Sequence, residues 1–556
     1  MFILFIFNLH QLTLSSFTLL TTALCGLLAL LVINTRLGNL QQSPGLKLMT
    51  LLLKVILIYT TFNIGFGGAF KLAKINISTP AKIEFLATTH VGIVLDQVST
   101  PFFLTTLLIG LVTVFFTHYY MGGEVHANRF IRLLILFLLS MLLFLTSDNL
   151  ITIFLGWELI GLYSYLLINF WVVKTTALKS AFKALVYNQL SDAALLGFIV
   201  STYAHTKQLN ITQLEAVPEL ATHSITALCL LICASCKSAQ TPFHYWLPDS
   251  MEAPIPASAL IHSATLVSAG IFLVVRFSSI HQLNTALLTT ATYMSLITIL
   301  VGGVGAATQS DLKKTLAYST ISNCGFMMLF ALTNNHSLCF FYFLAHGIFK
   351  ALSFLFVGSV VLLNAHKQDW RYNQLTNSNK QSLLTGLTIT LLFLGAWPLT
   401  INNVVKHLNI LTLSNLNIYY ITPAIINTVT LFGSMLSLVY SSNIIFNLYT
   451  STNVKTTNSD SDAHPALTKQ LPSYMLITAT TTILLVLTLL VLTNAQVLGD
   501  VSTNAFYTYR AASTTSLWDT SLIVLSVFLL TYKRGAWCFN PATLIAGWLL
   551  LGWWIV

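Results

Sequence analysis

The sequence is short of charge. Asp, Glu, Lys and Arg make up only 8% of its 556 residues, whereas an average soluble protein carries about 25%. Twenty-six basic and sixteen acidic side chains cannot cover a soluble particle of this size. The hydrophobic share is 55%. Soluble enzymes, secreted disulfide scaffolds and disordered chains are therefore excluded as readings of the whole chain. Cysteine is scarce as well. Its seven residues are an odd number and most sit in apolar runs, where they serve as small packing groups. No charge precedes Arg36, so the basic segment of a signal peptide and an Arg-rich transit peptide are both missing. Insertion is expected to rely on the first helix. The chain shows no Walker A sequence, no GxGxxG and no HExxH. Cys229, Cys233 and Cys236 form one helical stripe without a second pair, which leaves a four-ligand zinc or iron–sulfur site unsupported.

What is present in quantity is long apolar runs. A spanning helix needs about 20 such residues. Runs of this kind lie near 14–33, 48–66, 91–118, 131–147, 150–173, 181–203, 222–240, 258–278, 284–307, 314–332, 337–363, 383–411, 420–447, 472–495, 515–531 and 541–556. They predict an all-α polytopic membrane protein of about 15–16 transmembrane helices. The connections are short, and none is long enough for a soluble domain. The net charge of +10 fits the basic bias of loops on one side of a membrane, and nucleic acid is not expected as a partner. Loops after odd-numbered spans carry twelve Lys and Arg, against five after even-numbered spans up to the same point. The odd loops are therefore expected on the cytoplasmic or matrix side.

A few ionisable residues interrupt these runs. Each costs about 2.5–3.5 kcal/mol at mid-bilayer, and five or six cost on the order of 15 kcal/mol. They are expected to face a protein interior and to do something there. Glu158 lies in FLGWELIGLYSYLLINFW. The alternative role is a structural carboxylate bonded to a neighbouring helix. Lys237 ends one apolar run and precedes SAQTPFHYWLP. It either snorkels from a helix end or borders a helix broken around Pro242 and Pro248. His262 in PASALIHSATLVSAG is a relay group or a satisfied core histidine. His346 and Lys350 are four residues apart in CFFYFLAHGIFKALSFLFVG, on one helix face. Two adjacent basic groups in an apolar run suit a proton carrier better than packing. Lys406 follows a second Pro-interrupted run, FLGAWPLTINNVVKH, and the pair of interrupted runs suggests a repeated transporter. Asp192 and Asp96 are relay acids or helix-end anchors. Lys54 has no obvious partner, and Lys313 and Lys314 read as loop charges at a helix start.

Several blocks resemble the antiporter-like subunits of respiratory complex I, most closely the distal, mitochondrially encoded type. They are SCKSAQTPFHYWLPDSMEAPIPASALIHSATLVSAGIFLVVRF, SDLKKTLAYSTISNCGFMMLFAL with AHGIFKALSFLFVGSVV, and FLGWELIGLYSYLLINFW with the RFIRLLILFLLSMLLFLTSDNL ahead of it. The likeness runs from about 90 to 450. It implies two inverted five-helix repeats with broken helices, at 86–283 and 284–450, between N-terminal helices 1–85 and C-terminal helices 451–556. It implies that Glu158 pairs with Lys237, that His262, His346 and Lys350 relay protons, that Lys406 lies toward the outlet, and that Asp192 belongs to the first half-channel. It also implies a proton-translocating subunit of the mitochondrial inner membrane, without a redox site or cofactor of its own. NADH, FMN, iron–sulfur clusters and ubiquinone are then expected in partner subunits. The partners implied are other membrane-arm subunits, a neighbouring antiporter-like subunit among them, and the membrane lipids.

The chain departs from the family pattern at Gln189 and Ser191, where N-R-x-G-D is usual, at His407 where Asp is usual, and at Asn443 where Arg is common. Each change removes or alters an ion-pair partner. The tail also reads as short for a long lateral helix plus an anchor helix. Two rival readings share the motifs. One is the large subunit of an Mrp-type cation/proton antiporter, with no NADH dependence. The other is a scaffold whose pump path has decayed, against which the joint presence of Glu158, Lys237, His262, His346, Lys350 and Lys406 argues.

Overall fold

In the computed structural model the described residues are 94, 96, 98–214, 224–278, 285–333, 336–363, 368–370, 380–397, 400, 402, 406 and 423–450. All fall within one compact unit, Met1–Tyr507. The expected spans before 91 and after 447, Lys54, His407 and the lateral-helix question lie outside the described residues.

The long elements are α1 (Ser99–Tyr120), α2 (Ala127–Thr146), α3 (Leu150–Ile168) and α4 (Thr175–Thr206). They are followed by α5 (Ser224–Lys237), a short irregular helical segment over 243–252, α6 (Ile255–Ser263) and α7 (Leu266–Arg276). The series ends with α8 (Thr285–Thr308), α9 (Leu312–Leu332), α10 (His336–Leu363), α11 (Lys380–Leu394) and α12 (Pro423–Thr450). Among the described residues nine spans are long and apolar enough to cross a membrane, with α6 and α7 together forming one of them. Helices satisfy their own backbone, which is why apolar runs of this length take that form in lipid. Among the described residues there is no strand, only the isolated bridges Asn149–Asn210 and Asp311–Asp369.

The expected spans from 91 to 363 and the one at 420–447 are recovered with two refinements, and the run 383–411 is a helix as far as Leu394, most of its remainder lying outside the described residues. The run 222–240 stops as a helix at Lys237. The run 258–278 is interrupted at Ala264 and Thr265, between α6 and α7. Three small residues, Ser263, Ala264 and Thr265, and no Pro or Gly stand at this second break, so the apolar pattern concealed it.

Burial separates the centre from the rim. The span 255–276 is wholly buried and α9 and α10 are 94% buried, while α3 and α4 are 44% and 39% buried. The core is rich in Phe. Phe102 of α1 meets Phe272, Phe340 and Phe343 at centroid distances of 5.3, 5.3 and 4.4 Å. Such contacts substitute for a hydrophobic drive between helices that lipid does not supply.

One end of the bundle gathers the loop charges. Lys183 of α4 pairs with Asp249 at 2.6 Å, and Thr176 donates to Glu252 at 3.4 Å. Lys314 pairs with Asp311 at 3.5 Å. Arg276, counted with the loops on sequence, is instead buried and pairs with Asp96.

Close backbone approach holds α8 against α9. A side chain at Gly302 would place its Cβ 2.4 Å from the Ser322 backbone nitrogen. Gly302→Val is expected to destabilise the fold by about 1–3 kcal/mol through overpacking. The check is loss of the chain from the membrane fraction, or a lowered unfolding temperature in mild detergent. An unchanged temperature would contradict this packing.

Candidate functional site

The first cluster forms where α5 ends. Lys237 is its last residue and is completely buried. A cation in the last turn of a helix is favoured by the partial negative charge there. The chain then turns through Ala239, which has a φ of 52°. A non-glycine residue in this region costs about 1–3 kcal/mol, a strain often kept at functional sites. The loosened backbone groups find partners. The Ser238 amide donates to Ala234 O at 2.9 Å, and the Gln240 amide to Ser235 O at 2.9 Å. The Trp246 indole donates to Cys236 O at 3.1 Å, and Thr298 of α8 donates to Gln240 Oε1 at 2.8 Å. The break is thus pinned by its own short segment and by α8.

Around the Lys237 ammonium are three electron-rich groups. It donates to Trp157 O at 2.6 Å, lies 3.7 Å from Asp192 Oδ1, and sits 4.1 Å from the centroid of the Trp157 ring. The Trp157 indole donates to Ser191 Oγ at 3.3 Å, and Ser191 donates to Asp192 Oδ1 at 3.2 Å. Ser191, one of the departures from the family pattern, therefore orients the acid.

Glu158 interacts with Lys237 electrostatically without reaching it as an ion pair. Among the described residues, the carboxylate within ion-pair distance of Lys237 is that of Asp192. On α3, Trp157 and Gly161 are buried, while Leu155, Glu158 and Leu162 are exposed. Glu158 falls on the outward stripe because it is one residue, about 100° of helix turn, beyond Trp157. Gln189 of α4 is also exposed, and Asn443 is half-buried.

The central group is His262, near the C-terminal end of α6 and completely buried. Its Nε2 lies 3.2 Å from Ser250 Oγ, and its ring stacks on Phe354 at 5.8 Å. Lys350 Nζ stands 5.9 Å from the centroid of the Phe354 ring. His346 and Lys350 are on α10, both completely buried. Lys350 donates to Ser319 Oγ of α9. Among the described residues, neither ring nitrogen of His346 has a hydrogen-bond partner. Unsatisfied polar atoms this deep are uncommon and ask for an explanation.

Lys406 is buried at 3% exposure. It donates to Ser437 Oγ of α12 at 3.1 Å and lies 4.7 Å from the Phe326 centroid. Ser437 in turn donates to Gly395 O at 2.9 Å. That carbonyl belongs to a second break, where Ala396 has a φ of 55°. A turned alanine thus accompanies both breaks, Ala239 near Lys237 and Ala396 near the hydroxyl that meets Lys406.

One residue assigned to a loop on sequence is misplaced. Lys314 is exposed, but Lys313 is only 3% exposed. It donates to Met251 O at 2.8 Å and Ala253 O at 3.0 Å. These carbonyls close the irregular segment that carries Ser250. Two adjacent lysines look alike in sequence; which one meets carbonyls follows from the face of α9 turned inward.

The chain is similar to known membrane proteins. The family described as NADH:quinone oxidoreductase/Mrp antiporter, transmembrane, matches residues 147–433. NADH-ubiquinone oxidoreductase chain 5 of Paramecium tetraurelia is 40% identical over 344 residues, 57% of this chain and 60% of that protein. The protein of the same name from Mus musculus is 34% identical over 426 residues, 73% of this chain and 68% of that one. The chain spans less than two thirds of the Paramecium protein, and 48% of the Metridium senile one. In fold it is similar to a chain of the membrane-bound sulfane sulfur reductase, an archaeal respiratory membrane complex. The TM-score is 0.67 at 18% identity, covering 88% of this chain and 99% of that one. It is also similar to a chain of the Mrp complex of Dietzia sp. DQ12-45-1b. There the TM-score is 0.62 at 20% identity, covering 80% and 82%.

Removing one member of a buried ion pair strands the other, at about 3–5 kcal/mol. Asp192→Ala is expected to destabilise the chain by that amount, and Lys237→Met made with it to recover most of the loss. A double-mutant cycle on detergent unfolding reads the coupling. Additive effects would mean the two groups do not interact.

Proposed function

The chain belongs to the NADH:quinone oxidoreductase/Mrp antiporter family of transmembrane proteins, and we propose that it is a proton-translocating membrane-arm subunit of a mitochondrial NADH:ubiquinone oxidoreductase. The observation that carries this reading is the row of completely or nearly completely buried basic side chains: Lys237, His262, His346, Lys350 and Lys406. Packing alone does not account for five such groups at about 2.5–3.5 kcal/mol each. Proton movement does, because amines and imidazoles bind and release protons without rearranging a fold. We read 86–283 and 284–450 as the two half-channels. Oxidation of NADH and reduction of ubiquinone, with FMN and iron–sulfur clusters, belong on this reading to partner subunits in the inner membrane.

The coupling proposed is electrostatic. The Lys237 ammonium is held by Asp192 and Trp157 O. When Asp192 is charged it stabilises the cation, and a cation at Lys237 disfavours a second one on the side of His262 and Lys350. A change in the field at Lys237 therefore shifts where the next proton resides. Glu158 acts on Lys237 from the outer face of α3. A carboxylate on an apolar exterior at membrane depth is costly, so this stripe is read as covered by a neighbouring membrane subunit. Lys350 receives protons through His262 and His346 and passes them toward Lys406.

The test is native electrophoresis of mildly solubilised membranes with in-gel NADH oxidation and mass-spectrometric detection of the chain. The chain is expected in a large band that oxidises NADH. A smaller band lacking that activity, with cation-dependent proton exchange, would transfer the assignment to an antiporter complex. In vesicles, Lys350→Met is expected to lower proton uptake per NADH oxidised while the band persists. Unchanged uptake in an assembled variant would remove Lys350 from the path.

A further inference from the structure

Between Lys350 and Lys406 lies a buried polar cluster that none of the assigned roles uses. It is made by α9, α10 and α12. Ser319 and Asn323 are one turn apart on α9 and therefore share a face. Ser319 receives the Lys350 ammonium. The Tyr342 hydroxyl of α10 donates to Asn323 Oδ1 at 2.6 Å. The Tyr440 phenol of α12 lies within electrostatic reach of Asn323 and Ser319, and among the described residues neither its oxygen nor Asn323 Nδ2 has a hydrogen-bond partner. Ser437, which receives the Lys406 ammonium, precedes Tyr440 by one turn of the same helix. Asn323, Tyr342 and Tyr440 are each no more than 1% exposed.

Two unpartnered polar atoms side by side in an apolar interior are a standing cost of about 1–3 kcal/mol each. They are also what a switchable hydrogen-bonded chain requires, since a donor must be free to turn toward its next acceptor. Hydroxyls both donate and accept, whereas a carboxamide does not exchange its protons readily and serves to orient. The ring of Tyr342 is wedged between Phe330 at 5.5 Å and Phe326 at 6.0 Å. Its hydroxyl is thus fixed, and it fixes the Asn323 amide in turn.

We propose that Tyr440 is the relay group between Lys350 and Lys406, with Asn323 and Tyr342 as its positioning residues; the proposal rests on the proton-translocation reading above. In the transfer, the Lys350 ammonium gives one proton to Ser319 Oγ as the Ser319 hydroxyl turns from Leu316 O, to which it donates at 2.8 Å, and passes its proton to the Tyr440 oxygen. The Tyr440 phenol proton passes to Ser437 as the Ser437 hydroxyl turns from Gly395 O and gives its own proton to a neutral Lys406 amine. One proton leaves Lys350 and one arrives at Lys406. Each hydroxyl ends as it began with its proton exchanged, and no oxidant or reductant is involved. Rotation of Tyr440 and the serine hydroxyls resets the chain.

The experiment uses inner-membrane vesicles carrying the assembled complex, with proton uptake measured per NADH oxidised. Tyr440→Phe removes one hydroxyl and no ring volume. Its ratio is expected to fall to the level of Lys350→Met, with the native band retained. If Lys350→Met lowers the ratio and Tyr440→Phe does not, the bridge is overturned and the translocation reading stands. If neither variant lowers it, both fall. A purely structural role for Tyr440 would reduce the amount of complex but leave the ratio unchanged in what remains, and that result also overturns the bridge. Should Tyr440→Phe fail to assemble, Tyr342→Phe releases Asn323 without touching α12. A lowered ratio is then expected, and an unchanged one counts against the bridge.

Discussion

An ammonium group inside a membrane protein must be given oxygen atoms in place of water. Much of this architecture answers that requirement. Lys237 takes a helix carbonyl and a carboxylate. Lys350 and Lys406 take serine hydroxyls. Lys313 takes two carbonyls from an irregular segment. Regular helices offer few such oxygens, because their carbonyls already accept backbone bonds. The breaks after Lys237 and at Ala396 free carbonyls that polar side chains take up, Cys236 O by Trp246 and Gly395 O by Ser437, the hydroxyl that meets Lys406. The turned alanines are thus tied to the lysines by a common need for buried polar partners, and tight pinning by Trp246, Gln240 and Ser437 keeps those partners in place.

Much of this was legible in the sequence, for a simple reason. A charge within an apolar run costs several kcal/mol, so Lys237, His262, His346, Lys350 and Lys406 announce themselves without any structure. Most of the described helices follow from run length alone. What was illegible depends on direction. Glu158 and Trp157 are neighbours in sequence, yet one faces outward and the other cradles Lys237. Lys313 and Lys314 differ in the same way. In a helix that is apolar all round, no polar face exists to fix the rotation, and only the packed neighbours decide it. Asn323, Tyr342 and Tyr440 were missed for another reason. Neutral polar residues cost little in an apolar run and leave no signal until three helices bring them together.

On the proposed reading, the two halves of the path differ in their counterions, and this difference bears on what each can do. Lys237 has an acid at 3.7 Å and a second, Glu158, on the outer face of the same helix as Trp157. Lys350 and Lys406 have hydroxyls as their hydrogen-bond partners. An amine beside a carboxylate cannot give up its proton without leaving an unpaired anion in the interior, which is itself expensive. An amine beside a hydroxyl leaves only neutral groups behind. The first half is therefore suited to hold charge and to sense a change in the field around it. The second half is suited to load and unload. A device that couples a remote reaction to proton movement needs both behaviours, and here they are assigned by the oxygen that faces each nitrogen. The substitutions at Gln189 and Ser191 preserve this division: the serine hydroxyl supports Asp192 from within the cluster, and the glutamine stands on the exterior of α4, away from the cation.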